Sequence, residues 1–133
     1  MQRPPAATLD QTPGLWSAAS SAFALLATSD GEVAESERAR FESWLHQHSD
    51  RPALRSEALA HFDQLCARLL GPDAERAHRE AVAFLRACET KTQRELVLSA
   101  ARAAVVADQR IDEREEIALR EVCALLELDP DHG

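Results

Sequence analysis

The stretch AFALLATSDGEVAESER (residues 22–38) reads as an apolar helix, a Ser-Asp-Gly corner and the start of a second, more polar helix. It returns in altered form as AAVVADQRIDEREE (residues 103–116). An offset of 78 residues lays 22–45 over 100–123 and aligns Asp30 with Asp108, Val33 with Ile111, Glu35 with Glu113 and Glu37 with Glu115. Identities are four in twenty-four, so the weight lies in where they fall, which is at the corner. In each copy an Asp leaves the first helix, a β-branched residue follows three positions later, and a Glu stands seven positions after the Asp. The expectation is an all-α bundle in two pseudo-symmetric halves, each a helix, an Asp corner and a helix.

Outward from the corners, the rest of the chain also reads as helix. Thr12-Pro13 supplies an N-cap and a first-turn proline for a helix from Pro13 to Thr28 carrying Leu15, Ala19, Ala22 and Leu26. The second helix carries Arg38, Phe41, Leu45 and His48, and Ser49–Pro52 ends it. Leu54, Ala58, Phe62, Leu65 and Leu69 mark a third, which Gly71 closes as a left-handed C-cap before Pro72. Asp73 is placed to cap a fourth whose inner stripe is Ala77, Ala81, Phe84 and Cys88. Thr90 and Thr92 compete to cap a fifth with small residues at Ala100, Ala103 and Ala107. In the sixth, Asp112 and Glu115 have capping-box spacing, and Ile117, Val122, Leu125 and Leu126 face inward. About six helices follow, with no segment alternating at period two. A flexible leader over 1–11, a domain over 12–129 and a tail over 130–133 complete the expected layout.

The composition narrows the function. The 133 residues hold 15 Lys plus Arg against 23 Asp plus Glu, a formal charge of −8, which disfavours nucleic acid and anionic membrane as partners and suits a cation or a basic protein. The first sixteen residues lack the apolar run of a secretory signal, and no stretch approaches a membrane span, so a cytoplasmic protein is expected. Cys66, Cys88 and Cys123 are far apart within apolar helical patterns and read as buried free thiols. His46 and His48 point to different helix faces, His61 and His78 read as exposed, and the Arg residues interleaved with Glu read as a solvated, salt-bridged face. Trp16 and Trp44 read as packing residues. No phosphate loop, nucleophile elbow or paired catalytic Cys and His is present, so an enzyme is not expected.

A carboxylate at the end of one helix and another on the first turn of the next stand on the same side of a tight corner. Hard divalent cations take such oxygen ligands, and Ca²⁺ tolerates irregular sets of six to eight. Asp30, Glu37, Asp108 and Glu115 are therefore the candidate metal ligands, for one shared site or two. Capping and the helix dipole account for such acids without a metal. They do so for Glu115 behind Asp112, whereas Glu37 stands behind Ala34, whose side chain cannot cap. Neither corner has the EF-hand spacing.

With its twin corners the chain resembles the tellurite-resistance protein B (TerB) family, whose repeated signature is roughly small-small-Asp-Gly-x-aliphatic-x-x-x-Glu. The resemblance spans residues 12–129. It implies an all-helical bacterial domain of two related halves, associated with resistance to tellurite and other stresses. It also implies divalent metal at acidic positions, here Asp30, Glu37, Asp108 and Glu115, and assembly with protein partners in complexes near the membrane. Gln109-Arg110 departs from the family pattern, and Arg110 places a positive charge beside Asp108. The expected function is a non-enzymatic stress-response domain binding Ca²⁺, with Mg²⁺ as the alternative ion; the competing reading is a metal-free helical interaction module with an acidic face.

Overall fold

The computed structural model describes residues 9–105 and 113–129. Among them a 3-10 turn (Leu9–Gln11) precedes helices α1 (Leu15–Ala27), α2 (Glu35–His48), α3 (Pro52–Leu69), α4 (Ala74–Arg86), α5 (Lys91–Val105) and α6 (Glu113–Leu125), and no strand occurs. The fold is an all-α bundle. None of the helices is long and apolar enough to cross a membrane.

Helix α1 is the axis of the bundle. Apart from Trp16 it is buried along its whole length, as a helix without a polar face must be, and it packs against all five other helices. Its small residues permit the approach of α5, its principal neighbour, which offers Ala100, Ala101 and Ala104. The two fully buried serines of α1 are satisfied within the helix, since Ser20 Oγ and Ser21 Oγ both donate to the Ser17 carbonyl. Phe23, Phe41 and Phe62 lock α1, α2 and α3 together, with ring centroids 4.9, 5.8 and 5.0 Å apart. Trp44 is buried beside them and donates from Nε1 to Ser99 Oγ on α5.

The helix pairs α1–α2 and α5–α6 correspond to the repeat, with α2 and α6 starting 78 residues apart at Glu35 and Glu113. Between these pairs α3 and α4 form a hairpin that packs on α1.

Several local expectations change. The first helix starts at Leu15 behind Gly14, whose φ of +80° makes the turn assigned to Thr12-Pro13. The folded body reaches further toward the amino terminus than residue 12. Leu9 is buried, and the Asp10 carboxylate accepts from Ser49 Oγ at 2.6 Å and from the Asp50 N–H at 2.9 Å. Burial alone would raise the Asp10 carboxyl, but those two bonds, with Arg51 and Arg55, outweigh it and hold it low.

Gly71 is not left-handed; a Cβ there would meet the Ala67 carbonyl oxygen at 3.1 Å, so glycine serves a close approach. Asp73 does not cap α4, because its carboxylate is taken by Arg68 at 2.8 Å. Thr90 caps α5 in preference to Thr92: its Oγ1 accepts from the Gln93 N–H, while Gln93 Oε1 reaches back to the Glu89 and Thr90 N–H groups. In α4 the inward residue is Leu85, and Phe84 is 37% exposed. In α6 Ile117 is 63% exposed rather than buried. In α5 Ala103 is half-buried, and Ala107 lies outside the described residues, as does Asp112.

Candidate functional site

The first corner is built by the carboxyl end of α1. Thr28 Oγ1 donates to the Ala24 carbonyl at 2.8 Å and Ser29 Oγ to that of Leu26 at 2.7 Å, which satisfies carbonyls that the helix end would orphan. Gly31 then takes φ +95°, a left-handed conformation that a side chain would strain. Asp30 stands exposed at the turn, its Oδ1 accepting the Glu32 N–H at 3.2 Å.

Helix α2 begins four residues after Gly31, and Glu37 Oε1 accepts the Ala34 N–H at 2.9 Å. This is the carboxylate half of a capping box; alanine offers no acceptor for the other half. The absence of a cap at Ala34 therefore does not leave Glu37 without structural work, as the sequence suggested.

The electrostatics of Glu37 join the two corners. Its half-buried carboxyl is raised above the ordinary value, first by desolvation and further by the negative charges of Asp30 and Glu115; the Ala34 N–H and Arg40 act the other way. Asp30 belongs to its own corner, but Glu115 comes from the first turn of α6. Asp30 and Glu115, one from each corner, thus both act on Glu37. Asp108 lies outside the described residues, as do Gln109 and Arg110.

Two arginines, read from sequence as solvated, instead strap the helix pairs together. Arg40 of α2 donates from Nη1 to the Ala104 carbonyl on the last described turn of α5, at 2.8 Å. Arg114 of α6 reaches the Asp30 carbonyl at 3.5 Å. Each second helix thereby sends a cation toward the carboxyl end of the other pair's first helix, where the dipole favours it. Arg40 lies three residues beyond Glu37 and one before the buried Phe41, a flank position that the helical period exposes to view. Arg38 and Arg120 keep the expected surface pairing, with Asp63 at 2.9 Å and Glu116 at 3.0 Å.

Among the described residues no three His, Cys, Asp or Glu side chains are grouped closely enough to hold a metal ion. The donor chemistry at the corner is nevertheless of one kind. Asp30 and Glu37 supply carboxylate oxygens, and the nearby Cys66 thiol is pushed up to about 12, by burial and then by the charges of Asp63 and Glu37, so it stays protonated and is no ligand. That set suits a hard, oxygen-seeking cation.

The other side chains weighed from the sequence lie elsewhere. His61 is half-buried and hydrogen-bonded to Ser20 Oγ, not exposed. His78 pairs with Glu121 at 3.0 Å, and His48 packs on Trp44 with centroids 4.5 Å apart. Cys66, Cys88 and Cys123 are free and buried.

An all-α bundle with an acidic corner between α1 and α2 defines the class, and one known family matches it. The family model described as tellurite resistance protein TerB matches residues 17–132, and the chain belongs to the TerB family. No curated protein and no solved structure matches it.

Proposed function

We propose that this TerB domain is a non-catalytic stress-response module, of the tellurite-resistance type, that binds a divalent cation through Asp30, Glu37, Asp108 and Glu115. The observation that carries the reading is the raised carboxyl of Glu37, which feels Asp30 from its own corner and Glu115 from the opposite helix pair. Like charges held together by a fold raise its energy, and a bound cation relieves them. Ca²⁺ is favoured over Mg²⁺, because ligands drawn from two separate corners form an irregular set.

Thermal melting during a Ca²⁺ titration tests this. A cation that binds only the native state adds RT ln(1 + [L]/Kd), so a hundredfold excess over Kd adds ~2.7 kcal/mol, a shift of roughly 10 °C for a chain of this size. Asp30→Asn and Glu37→Gln are expected to abolish the shift. The second reading, a metal-free interaction module whose acidic face meets a basic protein, draws on Arg40 and Arg114, which already bring cations toward the corners. The absence of any shift with millimolar Ca²⁺ or Mg²⁺ decides in its favour.

A further inference from the structure

Helix α4 presents Arg79, Val82, Ala83 and Arg86 along one side of an open groove of about 780 Å³, with Glu121 and Leu125 of α6 on the other. The α4 positions follow i, i+3, i+4 and i+7. The two guanidinium groups therefore stand about two turns apart, roughly 10 Å, with apolar side chains between them. Other arginines are engaged internally: Arg38 with Asp63, Arg68 with Asp73 and Glu80, Arg120 with Glu116. Arg79 and Arg86 are exposed, and among the described residues no carboxylate lies within ion-pair distance of either. Glu121, the one carboxylate among the described residues that line the groove, is taken by His78 at 3.0 Å. On a chain of formal charge −8, two unpaired cations flanking an apolar floor form a local field of the opposite sign.

The geometry points to an acidic amphipathic helix of a partner protein as the occupant of this groove. Aspartate or glutamate at two partner positions seven residues apart meets Arg79 and Arg86. Leucine or isoleucine at the third and fourth positions between them packs on Val82, Ala83 and Leu125. The groove continues past the His78–Glu121 pair, which also lines a second hollow of about 360 Å³ containing Leu25, Leu69 and Ile117. Ile117, Glu121 and Leu125 are spaced i, i+4 and i+8 over about 12 Å, so a partner helix of three to four turns covers both hollows and buries the exposed Ile117. The site includes none of Asp30, Glu37, Asp108 or Glu115, and it stands or falls independently of the cation reading.

The test is fluorescence anisotropy of two labelled synthetic helices of about 20 residues against the full chain. One carries Glu seven residues apart with Leu at the third and fourth positions between them; the other has Lys in place of Glu. The Glu peptide is expected to bind at least about tenfold more tightly than the Lys peptide, and less tightly as salt is raised. Arg79→Glu/Arg86→Glu is expected to reverse the preference, a gain for the Lys peptide that loss of folding would not produce. Equal binding of the two peptides overturns the proposal, as does a preference that survives the double reversal. So do two results that name a different occupant: self-association in sedimentation that the double reversal abolishes, or Arg79- and Arg86-dependent binding to anionic phospholipid vesicles that displaces the Glu peptide.

Discussion

His61 lies on α3 between the ring edges of Trp16 on α1, at 5.7 Å, and Phe84 on α4, at 5.3 Å. The hydroxyl proton of Ser20 goes to the Ser17 carbonyl, so Ser20 Oγ accepts from His61 Nδ1–H. Burial lowers the imidazole's pKa, with Arg68 acting in the same direction and Glu80 against it. The unfolded chain takes up this proton first, near pH 6.5, so the stabilisation is complete above that value and is lost as pH falls through it toward the lower folded pKa. The melting temperature is expected to drop between about pH 7 and pH 5, and His61→Gln to flatten the drop. Equal slopes in the two proteins would show that the proton goes elsewhere. The sequence held a sign of this burial: Ala58, His61, Phe62 and Leu65 follow i, i+3, i+4 and i+7 on one helix face. His78 offered no such sign, because its partner Glu121 is 43 residues away on another helix.

At the scale of elements, helix existence was legible and facing was less so. In α4, Ala77 and Ala81 are compatible with Phe84 or with Leu85 as the next inward residue, since three- and four-residue steps both keep a helical stripe. The packing of α4 against α1 and α3 decides for Leu85. Leu85→Ala is expected to cost about 2–5 kcal/mol in denaturant unfolding and Phe84→Ala less than about 1, and the opposite order would refute the facing seen here. Ile117 cannot share the inward stripe of Val122, because a step of five positions turns it about 140° around the helix. The carboxyl end of α6 escaped the sequence reading altogether. Glu127 occupies a left-handed turn at φ 57°, with the Leu128 N–H on the Cys123 carbonyl at 2.9 Å and the Glu127 N–H on that of Ala124 at 3.1 Å, a Schellman closure made without glycine. Glu127→Gly is expected to stabilise by up to about 1 kcal/mol and Gly31→Ala, at the left-handed turn after α1, to destabilise by about as much. Thermal melts with the reverse signs would contradict the two backbone assignments.

At the scale of the whole molecule, the two Asp corners are legible in the sequence, but that Glu37 comes within the field of Glu115 is not, since it depends on α1 packing against α5 and on α6 returning to α1. Two arginines strap that arrangement while two glutamates oppose it. Glu37 and Glu115 belong to different helix pairs, and the negative charge of Glu115 makes that of Glu37 harder to hold. Because the Glu37 carboxyl is raised, its neutral form is the one the fold favours; that contribution is full below the unfolded value and is lost as pH rises through the folded one. At neutral pH without added cation, Glu37→Gln is therefore expected to stabilise the domain, the amide oxygen keeping the Ala34 N–H bond. Glu115→Gln is expected to relieve the same repulsion from the other side. Once either charge is gone the second substitution has less to remove, so the double variant is expected to gain less than the sum of the singles, by about 0.5 kcal/mol. The shortfall is expected to shrink in high salt. A double-mutant cycle in urea, run with and without Ca²⁺, reads this directly. Strict additivity at low salt would place the two carboxylates in separate fields, and a cation held jointly by both corners would then have no electrostatic basis.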